Sequence, residues 1–188
     1  MENNSLQLHS GSPKEKRREL DFYPTPREVT VALLDFLQLN PCKVWEPACG
    51  NGAMSKVIRE YGHEVIETDI INGFDYLQTS IKSDAIITNP PFNLSAEFIQ
   101  KAINEADLVA MVLKSQYWHA KKRLDLFFQN PPAYILLLTW RPDFMNGESG
   151  GSPTMEVIWT VWIKGNTDAK YIPLKKPELE SSQYTLFN

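Results

Sequence analysis

The sequence predicts an α/β fold: a mostly parallel sheet with helices on both faces and an antiparallel hairpin at one edge. Short apolar runs alternate with segments of helical period through the middle of the 188-residue chain. Such alternation sets parallel strands between crossover helices. The last two apolar runs, 134–140 and 157–163, are joined by a stretch rich in Gly, Ser and Pro that leaves no room for a crossover helix. They are expected to pair antiparallel. Composition agrees, with 43% hydrophobic, 22% charged and 11% aromatic residues, the profile of an ordinary globular domain.

Each element follows in order. Residues 1–20 are polar and carry Lys14, Lys16, Arg17 and Arg18, so they read as a mobile arm. Residues 21–26, Asp-Phe-Tyr-Pro-Thr-Pro, are extended, because a residue before proline avoids the helical region. A helix spans 26–37, with Val29, Leu33, Leu34 and Leu37 on one stripe. Residues 43–45 open a strand, and the turn after it leads to a helix over 53–61 that Gly62 stops. A second strand covers 63–68 and a buried third strand 85–88, closed by Asn89-Pro90-Pro91. Helix 95–104, strand 108–113 and helix 116–128 precede the two hairpin strands. Nothing after Lys164 has a clear period, so the chain divides into an arm (1–20), one domain (21–165) and a tail (166–188).

Charge excludes some functions. Nineteen Lys+Arg against 23 Asp+Glu give a net charge of −4, which argues against a coat of positive charge that clings to any polyanion. Residues 26–110 are acidic (6 basic, 12 acidic) and residues 111–188 mildly basic (9 and 7). That asymmetry suits a cationic small molecule at one end and a phosphate-rich partner at the other, although solvated faces give the same pattern. No apolar run approaches the roughly 18 residues of a membrane span. The N-terminal segment has no hydrophobic core, so no secretory signal is read there. Cys42, Cys49 and three histidines make neither a zinc site nor a disulfide framework. No metal and a reducing cytosol are expected.

In open α/β sheets, ligands sit beyond the C-terminal ends of the strands. Two sequence features mark those ends. The first is Glu46-Pro47-Ala48-Cys49-Gly50-Asn51-Gly52, whose glycines permit a tight turn and let a ligand approach bare backbone. A third glycine is missing, which disfavours a pyrophosphate-binding fingerprint. Asp69 and Asp75 follow at successive strand ends. Singly each reads as well as a solvated turn residue; together they favour a nucleoside without phosphates. The second feature is Asn89-Pro90-Pro91-Phe92. Its prolines remove backbone donors and stiffen the chain. The Asn89 side-chain oxygen and the Pro90 carbonyl remain as acceptors for both hydrogens of one amino group, with Phe92 as a flat face. A rigid strand exit with Phe92 in the core is the plainer alternative.

Both features, in this order, resemble the N6-adenine DNA methyltransferases, most closely the small ones of phages and prophages. Residues 21–26 resemble the family's opening cofactor motif, residues 46–52 its Asp/Glu-Pro-x-x-Gly-x-Gly loop, and residues 89–92 its Asp/Asn-Pro-Pro-Tyr/Phe motif. The resemblance runs over 21–163. It implies a single Rossmann-like methyltransferase domain with a seven-stranded sheet, S-adenosyl-L-methionine as cofactor, and double-stranded DNA with its target base flipped out. By resemblance, Tyr23 and Thr25 lie near the methionine carboxylate. Glu46 and the backbone at Ala48, Gly50 and Gly52 surround the methionine portion. Asp69 takes the ribose hydroxyls and Asp75 the adenine amino group. Asn89, Pro90, Pro91 and Phe92 hold the target base. Trp140, Arg141 and Phe144 fall in the segment where a second side chain packs on that base. Lys114, Lys121, Lys122 and Arg123 are candidates for phosphates, with Trp118 near them to stack or pack. The arm, the 145–155 loop and the short tail are the places left for sequence reading, because relatives of the restriction type carry a separate recognition domain. Two other readings use the same residues: methylation of an RNA base or a glutamine amide, and an idle nucleic-acid-binding module.

Overall fold

A computed structural model describes residues 24–144 and 155–179. The apolar runs become seven strands: β1 (Lys43–Glu46), β2 (Glu64–Glu67), β3 (Ala85–Thr88), β4 (Leu108–Lys114), β5 (Tyr134–Leu138), β6 (Val157–Ile163) and β7 (Lys170–Leu174). They join in one sheet, ordered β2-β1-β3-β4-β6-β5-β7. β6 alone runs against its neighbours, pairing antiparallel with both β4 and β5. The helices are α1 (Arg27–Leu37), α2 (Ala53–Glu60), α3 (Ser95–Glu105) and α4 (Leu124–Gln129).

Strand alternation divides the core into two layers. Val44, Ala85, Ile87, Ala110, Val112 and Trp159 face α1 and α2, packing with Leu33, Met54 and Ile58. Trp45, Ile86, Val109, Met111, Leu113 and Trp162 face the opposite way, packing with Phe98, Ile99 and Leu126. A sheet buried on both faces needs apolar residues of both parities, hence the near-continuous apolar runs. Burying a large aliphatic or aromatic side chain in such a layer contributes roughly 1.5–3 kcal/mol. The α1 stripe meets this need, and Gln38 ends the helix in the left-handed region, its N–H donating to the Leu34 carbonyl at 2.9 Å.

The chain leaves β1 toward β2 on one side and returns to β3 on the other. This reversal opens a crevice between the C-terminal ends of β1 and β3. The glycine turn follows β1 and Asn89 follows β3, so both features flank the crevice.

Two expectations change. The helix expected over 116–128 is two 3₁₀ turns, Tyr117–His119 and Lys121–Arg123, followed by the short α4. The Arg123 guanidinium donates to the Tyr117 carbonyl, the acceptor that a continuous helix would give to residue 121. The segment after Lys164 is not without structure either. β7 pairs parallel with β5 and takes the outermost place beyond the antiparallel pair. The basic arm expected to be mobile, Tyr23 expected near the methionine carboxylate, and residues 145–154 of the loop lie outside the described residues. Among the described residues no helix is long and apolar enough to cross a membrane.

Candidate active site

The turn after β1 is built by backbone geometry. Gly50 (φ 54°) and Gly52 (φ 77°) both lie in the left-handed region, where side-chain-bearing residues are strained. A Cβ on Gly52 would also stand 3.4 Å from the Glu67 Oε1. The Gly50 N–H donates to Asp69 Oδ2 at 2.8 Å and the Gly52 N–H to the Cys49 carbonyl at 2.8 Å. These two glycines therefore offer a ligand clearance rather than free donors. Half-buried Ala48 leads into the turn.

Asp69 is buried, and its second oxygen accepts the Ile71 N–H at 2.9 Å. It bridges the glycine turn to the loop after β2. Asp75 caps the next 3₁₀ turn, accepting the Leu77 N–H at 2.9 Å, and is half-buried. Both acids thus perform local backbone work at the rim where they were expected.

A different acid pair faces the turn. Glu46 and Glu67 end adjacent parallel strands and are direct register partners. Glu46 is 2% exposed and accepts from the Ser55 hydroxyl. Burial, with the Glu67 charge adding to it, pushes its carboxyl up to about 8, so it is largely protonated at neutral pH. Glu67 is more open, and the hydrogen bond from Arg59 holds its carboxyl below the usual range. Glu67 was missed in the sequence because β2 was expected to run to 68, which drew attention to Asp69. The strand ends at Glu67. Between these acids Cys49 is no nucleophile, since burial raises its thiol to about 11.

Across the crevice, Asn89 is half-buried at the end of β3, and its Nδ2 donates to Thr25 Oγ1 at 3.1 Å. Thr25 is buried just before α1, so a residue 64 positions away fixes the amide. That contact turns the Asn89 oxygen away from Thr25. Pro90 is buried and Pro91 half-buried. The Ser95 hydroxyl donates to the Phe92 carbonyl at 3.0 Å and pins the turn that carries the ring. Phe92 packs partly on the core, and the Lys114 ammonium stands 4.8 Å from its ring centroid.

The remaining candidates separate. A cavity of about 310 Å³ opens beside the ends of β4, β5 and β6, with Ser115, Trp140, Arg141 and Glu156 among its walls. Arg141 donates to Glu156 at 2.8 Å in an exposed pair. Phe144 is 4% exposed and packs in the core cluster, whereas Trp140 is half-buried in the cavity wall. Lys121 and Lys122 are exposed, whereas Arg123 stacks 3.7 Å above the Tyr117 ring. Trp118 packs edge-on against Tyr117, Phe127 and Trp162. Among the described residues, no cluster of three His, Cys, Asp or Glu side chains is arranged to hold a metal.

No family model and no curated protein matches the chain. Solved structures do. A Pyrococcus horikoshii protein named as an RNA methyltransferase matches at TM-score 0.61 and 18% identity, over 76% of this chain and 86% of its own. A Vibrio vulnificus YJ016 protein, named as the modification subunit of a type I restriction enzyme, matches at TM-score 0.62 and 13% identity, over 88% of this chain but 51% of its own. A Listeria monocytogenes protein named as a class I S-adenosylmethionine-dependent methyltransferase matches at TM-score 0.53 and 11% identity, over 84% and 67%. The chain therefore has the class I S-adenosylmethionine-dependent methyltransferase fold.

Proposed function

We propose that this chain transfers a methyl group from S-adenosyl-L-methionine to the exocyclic N6 amino group of adenine in DNA. The observation that carries the reading is the placement of Asn89-Pro90-Pro91-Phe92 across one crevice from the glycine turn, with the Asn89 amide oriented by Thr25. The residues fit the cofactor: the left-handed turn leaves room at bare backbone, and Glu46 and Glu67 supply acceptors for ammonium and hydroxyl groups. When bound, the cofactor supplies an electrophilic sulfonium methyl.

The chain's own residues act on the amine. Asn89 Oδ1 and the Pro90 carbonyl accept its two hydrogens. This favours a pyramidal nitrogen and stabilises the positive charge that develops there. Phe92 stacks on the base and fixes the nitrogen in line, which supplies the orientational part of the rate. A solvent acceptor removes the surplus proton afterwards, so no strong protein base is required.

Any planar amino group suits two acceptors, and the structural neighbours include a protein named as an RNA methyltransferase and one named as the modification subunit of a type I restriction enzyme. Radiolabelled cofactor offered with duplex DNA, RNA and a glutamine-bearing release factor separates these substrates. Label in DNA recovered as N6-methyladenine is the expected result. Label only in RNA or in the protein would sink the DNA reading while keeping the chemistry.

A further inference from the structure

We infer that Lys114 is the cation that holds a substrate phosphate beside the base stacked on Phe92, so that the site selects a nucleotide over an uncharged amide. The inference rests on the methyl-transfer reading above and concerns what that site accepts. Thr88, the last residue of β3, is the register partner of Met111, and β4 continues three residues further, to Lys114. At about 3.3 Å per residue that places Lys114 roughly 10 Å beyond the end of β3, level with the Asn-Pro-Pro-Phe turn. The ammonium stands 4.8 Å over the Phe92 ring. Phe92 is half-buried against the core, and the face under the ammonium is the one this inference gives to a base.

Several other cations are held elsewhere in the fold, and among the described residues Lys114 alone stands over the Phe92 ring. Arg27, Lys43, Arg59, Lys101, Arg141 and Lys164 all stand in ion pairs, and Arg123 is held by the ring and carbonyl of Tyr117. Among the described residues, no ion pair includes Lys114. An exposed ammonium resting on an aromatic face is weakly held there and exchanges readily for an anion. A base stacking on Phe92 displaces it. The side chain springs from a fixed strand end, so the displaced ammonium stays at the edge of the stacked base, where a nucleotide carries its phosphate. Asn89 and Pro90 read only an amino group, which adenine and a glutamine side chain both present. Lys114 adds a demand that a glutamine side chain does not meet.

The test is equilibrium binding of a fluorescent duplex oligonucleotide to the full chain between 50 and 200 mM salt, with S-adenosyl-L-homocysteine present, for wild type, Lys114→Met and Lys114→Arg. One lost phosphate contact lowers the slope of log affinity against log salt by about 0.9. Lys114→Met is expected to show that drop and to bind on the order of tenfold more weakly at 50 mM salt, with Lys114→Arg keeping the wild-type slope. An unchanged slope in Lys114→Met, with DNA still methylated, overturns the phosphate role and leaves the methyl-transfer reading standing. Tighter binding by Lys114→Met also overturns it and makes Lys114 a cover over Phe92. A wild-type chain that ignores the oligonucleotide but methylates a glutamine-bearing protein overturns both.

Discussion

Asn89 has little freedom in this structure. Its amide nitrogen is engaged by Thr25, its own backbone leads into a proline, and the next turn is pinned by Ser95. With the Thr25 hydroxyl accepting from the amide nitrogen, the Asn89 oxygen is the atom left for a reacting amine. Asn89→Ala is expected to lower kcat by about 10²–10³, the loss typical of one positioned group, with cofactor affinity nearly unchanged. Thr25→Val should lower kcat by roughly tenfold, as a weaker positional effect, and Thr25→Ser should restore it. Single-turnover rates, measured beside calorimetric cofactor affinities, separate the two roles open to Thr25. A Thr25→Val variant that binds cofactor poorly yet turns over at the wild-type rate would confine Thr25 to the cofactor.

At the scale of elements, the rim depends on loops that the acids hold in place. Asp69 joins the glycine turn to the loop after β2 through two backbone N–H groups. Asp69→Ala strands both donors, so it should cost about 1–3 kcal/mol in urea unfolding and weaken cofactor binding as the turn relaxes. Glu67→Gln removes one partner of an exposed ion pair and should leave stability within about 1 kcal/mol while still weakening the cofactor. If Asp69→Ala instead spares stability and abolishes binding, Asp69 is the direct ligand that the resemblance implies. Elements whose side chains are all buried were readable from sequence: Ala85–Thr88 is apolar up to its last residue and is followed by Asn89 and two prolines, and it is β3 with Asn89 at its tip. The failures lie where packing does not follow pattern. The apolar residues of 116–128 suggested a helix, yet Leu124 is 52% and Phe128 72% exposed, so no buried stripe existed to support one. β7 is a mostly exposed edge strand containing Pro173, and such strands lack the alternation that a half-buried strand shows. Glu67 became visible only when the β1–β2 register set it beside Glu46.

Across the whole molecule, the sheet carries a buried acid to the mouth of the crevice, and the pH dependence of folding should reveal it. The Glu46 carboxyl titrates at about 8 in the fold against an ordinary 4.5, mainly because it is buried. Between those values the native state holds a proton that the unfolded chain lacks. Stability is therefore full below about 4.5 and lost as pH rises, by about 1.4 kcal/mol per pH unit across the middle of the window. Glu67 acts in the opposite sense at lower pH, because Arg59 depresses its carboxyl, but its exposure keeps that contribution small. Urea midpoints measured from pH 5 to 8.5 should fall in the wild type and stay flatter in Glu46→Gln, which keeps an uncharged partner for Ser55. The same proton links to the ligand. A cation bound beside Glu46 favours the carboxylate, so cofactor binding at pH 7 should release a proton and tighten as pH rises toward 8. Titration calorimetry in buffers of different ionisation enthalpy measures that proton directly. Equal release by wild type and Glu46→Gln would assign it to another group and remove Glu46 from the cofactor's surroundings.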